Sequence, residues 1–525
     1  MQPSQSGAES SVDPLARQPA AASRLSPFLS EPLICGLLLL IWLLATSWLR
    51  PLASPDEGRY AGVAYEMVRS GQWLTPTLDG LPYFHKPPLF YWLSAISMEI
   101  FGISEWAVRL ASLIGAMVGA GSTYMLVRRW ISPATSRWFL IVLATSPLFY
   151  GGAQYANHDM LVAGFIGGAI AFAADALLSL EAGMPWKSRM LMAWACMAFG
   201  LMSKGLIGVV LPSGVIFFWL LSQWRLRWIL KLLWWPGPLL FALIASPWFV
   251  LMQLKFPEFF HYFFIHQHFE RFAQKGFNNV QPFWFYPVAL ALTCLPWFPL
   301  LLTRFRLAAA TDVPRKAVRT LLWLWIAVIV IFFSLPNSKL LGYVLPVLPA
   351  IAALIAEGML TLMDKWRWLR PGLAVIAVAT CIISMIAFTK SDDISSKPLA
   401  QAYREQVQAG DGLLSWHLYR FDFPFYAQLK EPLAVLSNWD DPVLLSHDSW
   451  PRELADASKF APEAGQQVLL PAASLATQLC KHPVTWIMAS KNDRTDLLKS
   501  AETVAENARY ELLRYSLAKS KLKCP

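Results

Sequence analysis

A chain of 525 residues with 56% hydrophobic and only 15% charged side chains carries far fewer charges than the roughly 25% of an average soluble domain. It reads as a polytopic membrane protein, so the net charge of +10 is assigned to loops on one side of a bilayer and not to a nucleic-acid-binding face. The 6 Cys, at positions 35, 196, 294, 381, 480 and 524, show no CxxC or Cys/His zinc spacing, and the 25 Trp suit belts at headgroup depth.

Residues 1–31, rich in Ser, Ala, Gln and Pro, read as a disordered cytoplasmic tail, and the apolar run at 32–50 as a retained anchor and not a cleaved signal. Apolar runs able to span follow at 106–127, 138–156, 160–180, 190–203, 206–222, 232–253, 283–303, 320–336, 341–358 and 372–389. With the N-terminus inside, the basic stretches at 128–137, 187–189, 225–231, 304–319 and 365–370 all fall on the cytoplasmic side. That holds only if residues 88–103, short and rich in Trp and Tyr, lie along the outer face as an interfacial helix. A second short helix is expected at 62–69, where Ala61, Ala64, Tyr65 and Val68 share a face. From residue 390 the composition turns polar. Strands are expected at 467–470 and 484–488 and a helix at 497–517, giving a small periplasmic α/β domain over 390–525. Cys480 and Cys524 both fall in it and either pair or stay as free thiols.

The outer side then collects the chemistry. Asp56, in Ser54-Pro55-Asp56-Glu57-Gly58-Arg59-Tyr60, and Asp159 each sit at the outer end of a span. There a carboxylate serves as general base, metal ligand or acceptor-orienting group, while Asp159 also suits a plain helix N-cap. Arg59, Lys86, Lys204, Arg271 and Lys339 share that side and suggest an anionic ligand such as a phosphate or diphosphate, although each alone can snorkel to headgroups. His261, His266 and His268 crowd one outer loop and, with His85, are candidate zinc ligands; their spacing is no metal signature, and solvated loop histidines fit as well.

Several stretches together resemble the bacterial branch of the protein O-mannosyltransferase family, which includes the lipid A aminoarabinose transferases. They are residues 55–60, 71–76, 84–89 with Tyr91-Trp92, Phe101-Gly102 and Ala107-Val108-Arg109. Asp159-Met160, Ser203-Lys204-Gly205, His268 with Arg271-Phe272, and Lys339 with 342–346 complete the set. The resemblance covers about residues 32–360 and implies a GT-C fold, about 11–13 transmembrane helices, and a cavity fed laterally by a polyprenyl phosphate. It implies that Asp56 and Asp159 are the catalytic carboxylates and that Lys86 binds the lipid phosphate, supported by Arg271 and Tyr343. Arg59, Tyr60, Lys204 and Lys339 would complete the substrate cavity, and His268 matches a position able to ligate zinc. One departure stands out: His85 replaces the Glu that the lipid A transferases carry beside the Lys, which leaves the aminoarabinose donor open. The expected activity is inverting sugar transfer from undecaprenyl phosphate to lipid A. A polysaccharide or protein acceptor, or a lipid-linked sugar flippase, is the alternative.

Overall fold

The computed structural model describes residues 30–270, 279–306, 312–362, 367–389, 395–443, 449–520 and 522–524. The expected disordered tail at 1–29, Arg271, and the stretch 390–394 that opens the expected soluble domain lie outside the described residues.

Among the described residues six helices are long and apolar enough to cross a membrane, so the chain is a multi-pass membrane protein. They are α4 (Glu105–Trp130), α7 (His158–Glu181), α11 (Pro236–Lys255), and the helices Val313–Ser334, Leu341–Thr361 and Leu369–Thr389. The other five expected spans form helices that are shorter, broken or more highly charged. Helices α1 (Glu31–Leu44) and α9 (Ile207–Ser222) are short, and α8 (Lys187–Lys204) carries Lys187, Arg189 and Lys204. The run at 138–156 breaks into α5 (Pro133–Ala144) and α6 (Pro147–Ala153), because Pro147 has no N–H to continue the ladder. At the break the Thr145 hydroxyl accepts from the Trp297 indole at 2.9 Å and the Thr145 carbonyl from the Cys381 thiol at 3.3 Å, and the Leu143 carbonyl accepts the Ser146 N–H at 3.2 Å. The run at 283–303 breaks likewise between Phe285–Thr293 and Phe298–Arg306.

Helix α7 is the axis of the bundle: 94% of its apolar window is buried against protein, compared with 17% for Leu369–Thr389. It packs backbone to backbone on α4. A Cβ added at Gly164 would fall 1.8 Å from the Gly115 carbonyl oxygen, so this crossing tolerates only glycine.

Ion pairs gather the basic loops at one end, as expected from the charge pattern. Arg128 and Arg137 meet Glu31, Arg129 and Arg189 meet Asp175, Arg225 meets Glu181, and Arg315 and Arg319 meet Glu357. A short helix, α10 (Ile229–Leu232), lies in the loop after α9.

At the other end the first long loop forms α2 (Asp56–Ser70), a hairpin of β1 (Thr77–Leu78) and β2 (Leu81–Pro82), and α3 (Leu89–Phe101). The hairpin turns on Asp79-Gly80, both at positive φ. With 13 residues α3 is about 20 Å long, too short for a bilayer core, as the interfacial assignment requires.

The C-terminal region is the expected α/β domain. Its six-stranded sheet runs β5-β4-β3-β6-β8-β7, with β5 (Leu469–Pro471), β4 (Ala434–Ser437), β3 (Gly412–Trp416) and β6 (Val484–Ser490) parallel. The expected helix over 497–517 is overturned: after a single 3-10 turn, β7 (Glu502–Glu506) and β8 (Tyr510–Ser516) pair antiparallel beside β6. Pairing with β6, which buries Leu512 and Leu513 on opposite faces, overrides the helical bias of the Ala, Leu and Glu content. The expected strand at 467–470 begins only at Leu469, after the helix Pro462–Val468. One sheet face packs Leu414, Leu436, Ile487 and Leu513 into a core of its own. The opposite face sends Val435, Trp486, Met488 and Leu512 into the same core as α2 and α3, which docks the domain on the first loop.

Cys480 and Cys524 are disulfide-bonded, with Cα atoms 5.6 Å apart across a sequence separation of 44. Cys480→Ser is expected to cost this domain about 3–4 kcal/mol by freeing the unfolded chain. Thermal unfolding with and without reductant checks this, since reductant should bring the wild type down to the variant.

Candidate active site

The outer end of the bundle is organised by a carboxylate the sequence reading gave no role. Glu57, fully buried in the first turn of α2, forms ion pairs with Arg50 and, at 3.0 Å, with Arg109 from α4. It also accepts the backbone N–H groups of Ala53 at 2.8 Å and Ala156 at 2.7 Å. Arg109 donates onward to the carbonyls of Ser47, Arg50 and Pro51. One side chain thus ties together the end of α1, the start of α2, α4 and the entry to α7. Burial alone would push this carboxyl up, but the charges and hydrogen bonds of Arg109 and Arg50 outweigh it and hold it at about 2.

With Glu57 turned inward, its neighbours face the other way. Asp56 lies 3.8 Å from Arg59, whose Nε pairs at 3.1 Å with Glu453 of the docked domain. The Arg59 guanidinium lies over the Phe421 ring at 4.7 Å, and Glu453 also accepts from the Tyr83 hydroxyl at 3.2 Å. Tyr60 sits between the two expected catalytic carboxylates. Burial, then the charges of Asp56 and Asp159, hold its phenol well above the ordinary value, so it remains a hydrogen-bond donor.

Asp159 stands in the first turn of α7 and is not the cap, a role filled by Asn157, whose side chain accepts the Asp159 N–H at 2.8 Å. Asp159 forms an ion pair with Lys204 at the end of α8, and the Lys204 ammonium lies 4.6 Å from the centre of the Tyr343 ring. Gly342 lets this contact close: a Cβ there would fall 2.2 Å from Asp159 Oδ2. The buried His158 anchors the floor. Its Nδ1 contacts the Ser203 carbonyl at 2.7 Å, and its ring packs on Tyr60, Phe90 and Tyr91.

Lys86 is half-buried beside this cluster. Its Nζ donates to the His85 carbonyl at 3.0 Å, and both it and Lys204 lie close enough to act on His158 through their charge. The His85 ring is buried and stacked on Tyr83 at 4.5 Å. Lys339 is buried near the end of the helix Val313–Ser334. Its ammonium donates to the carbonyls of Gln281 at 2.9 Å and Pro336 at 2.5 Å, bracing the bridge between Val280 and Ser338. His261 is exposed at the start of the π-helix His261–Glu270. The side chains of His266 and His268 lie outside the described residues. Among the described residues no three His, Cys, Asp or Glu converge on a metal-sized site, so the described part of the cluster does not assemble a zinc centre around His85.

The structure therefore brings Asp56, Arg59, Tyr60, Asp159, Lys204 and Tyr343 together with Lys86. Glu57, His158 and Glu453 were missed. Arg109 was the available signal for Glu57, since a cation inside the apolar run of α4 requires a partner.

A helical bundle with short helices in the first long loop, a docked sheet and a carboxylate–cation cluster at one end has the GT-C fold, shared with the solved structures below. Residues 85–251 match the family model described as dolichyl-phosphate-mannose-protein mannosyltransferase. The fold is that of ArnT from Cupriavidus metallidurans bound to undecaprenyl phosphate, with a TM-score of 0.78 at 22% identity over 94% of this chain and 99% of that one. The archaeal oligosaccharyltransferase AglB from Archaeoglobus fulgidus shares it at a TM-score of 0.51 and 13% identity, over 87% of this chain and 69% of that one. In sequence the chain is 33% identical over 335 residues to undecaprenyl phosphate-alpha-4-amino-4-deoxy-L-arabinose arabinosyl transferase 2 of Pseudomonas fluorescens, covering 62% of this chain. It is 32% identical over 346 residues to the corresponding Erwinia tasmaniensis enzyme, covering 65% of this chain. The matches span 59% and 61% of those two relatives' length.

Proposed function

We propose that this protein is an inner-membrane glycosyltransferase that moves a sugar from undecaprenyl phosphate to an acceptor on the periplasmic side, with lipid A as the leading acceptor. The observation that carries the reading is the cluster itself: Asp56 with Arg59 and Tyr60, Asp159 with Lys204, and Lys86, at the end of the bundle opposite the paired Arg128, Arg129, Arg189 and Arg225. The Cys480–Cys524 bond supports an oxidising compartment for that end and a periplasmic C-terminal domain, and the positive-inside pattern of Lys and Arg supports a cytoplasmic N-terminus.

The donor's phosphate is a leaving group that gains charge as the anomeric bond breaks, so its main need is fixed positive charge. Lys86 supplies it, a role in which the resemblance implies support from Arg271. Lys204 is committed to Asp159 and so positions that carboxylate and the Tyr343 ring instead of adding a free cation. Asp56, held by Arg59, orients the acceptor or takes its proton for attack from the face opposite the phosphate, which inverts the anomeric centre. A lipid A phosphate as acceptor needs only orientation; a sugar hydroxyl needs the base.

Lys86→Gln is expected to weaken binding of undecaprenyl phosphate by about 1.5–3 kcal/mol, roughly tenfold to a hundredfold. Lys339→Gln should change it little, since Lys339 binds backbone carbonyls. Titration of detergent-solubilised protein with undecaprenyl phosphate checks both; equal losses would displace Lys86 from the phosphate role.

A further inference from the structure

A cavity of about 260 Å³ lies far from this cluster, between α7, α8 and α9. Ala169 and Ala173, which line it, are 10 and 14 residues past Asp159, placing it about 15–20 Å along α7 toward the basic end. Its wall is almost entirely apolar, including Ala193 and Trp194, and its mouth reaches the outside of the bundle at Phe217 and Leu233, 41% and 53% exposed. An apolar space of this kind does not hold water, and its volume is enough for a segment of hydrocarbon chain.

The loop that closes the cavity supplies the headgroup chemistry. Ile229, Leu232 and Leu233 face the cavity, while Arg227 and Lys231, within a turn of them, are exposed. Neither forms an ion pair among the described residues, in contrast to Arg225, which is paired with Glu181. Trp224 and Trp235 flank the loop, 92% and 70% exposed, as interfacial anchors at headgroup depth. Lys187 lies over the Trp234 ring at 5.8 Å on the same rim.

We propose that this cavity and its rim hold one anionic phospholipid of the leaflet at the basic end, with an acyl chain between α7, α8 and α9 and its phosphate at Arg227 and Lys231. The site is separate from the proposed donor site and does not depend on it.

Native mass spectrometry of the purified protein after reconstitution in mixed phosphatidylglycerol and phosphatidylethanolamine tests the assignment. The wild type should retain one phosphatidylglycerol in preference to phosphatidylethanolamine. Arg227→Gln with Lys231→Gln should reduce that preference by about fivefold per charge removed. Ala193→Phe should abolish retention of either lipid by filling the cavity. Equal retention of the two lipids, no retention, or retention unchanged in the double variant would overturn the proposal. So would displacement of phosphatidylglycerol by added undecaprenyl phosphate. Should Ala193→Phe fail to fold, the two exposed substitutions decide alone.

Discussion

Asp56→Asn is expected to lower turnover by about 10²–10⁴-fold while leaving undecaprenyl phosphate binding within about twofold of wild type. The argument rests on which carboxylate at this end is open to substrate. Glu57 is 0% exposed, Glu453 5% and Asp159 10%, and each has a charged partner within 3.1 Å; Asp56 is 40% exposed and its cation is 3.8 Å away. Asn keeps the shape and the place in the first turn of α2 but accepts no proton. A transferase assay with purified protein, run beside a lipid-binding titration, separates the two effects. Loss of binding in step with turnover would make Asp56 part of the donor pocket, and unchanged turnover would remove it from the chemistry. A flippase would show little change in either.

Glu57→Ala, one residue along, is expected to act on stability instead, costing about 3–5 kcal/mol, because Arg50 and Arg109 would be left buried and unpaired. The same carboxyl makes a pH prediction. Its folded value of about 2 lies below the usual 4.5, so the folded chain binds that proton less readily than the unfolded chain. The stabilisation, about 3 kcal/mol, is complete above pH 4.5 and is lost as pH falls toward 2. Asp79, whose carboxyl burial and Glu66 push up, acts in the opposite sense, so the useful quantity is a difference. The gap in unfolding free energy between wild type and Glu57→Gln should narrow as pH falls through that window. A constant gap would assign the loss to packing.

The gathering of the basic loops is readable from the Lys and Arg pattern, and the pairs on Glu31, Asp175, Glu181 and Glu357 form among those loops. That Asp56, Asp159 and Lys204 fall into the candidate cluster has a related reason: charge at the ends of apolar runs is costly unless paired or used. The partner of Arg59 was not readable. Glu453 lies almost four hundred residues away, and no local pattern marks which carboxylate of a polar domain turns inward. Glu57 was hidden by adjacency, since one helical step separates an outward carboxylate from a buried one. The run at 138–156 reads as one continuous helix by hydropathy alone, but Ser146-Pro147 divides it into two. Residues 497–517 were misread because their Leu, Ala and Glu favour a helix until β6 offers an edge.

The most direct test of the central claim is the mass of lipid A and surface glycans from cells lacking the gene, complemented with either the wild-type chain or Asp56→Asn. The account predicts a species heavier by one sugar residue with the wild type and its absence with Asp56→Asn. Identical mass profiles in the complemented and lacking cells, or full sugar addition by Asp56→Asn, would contradict it.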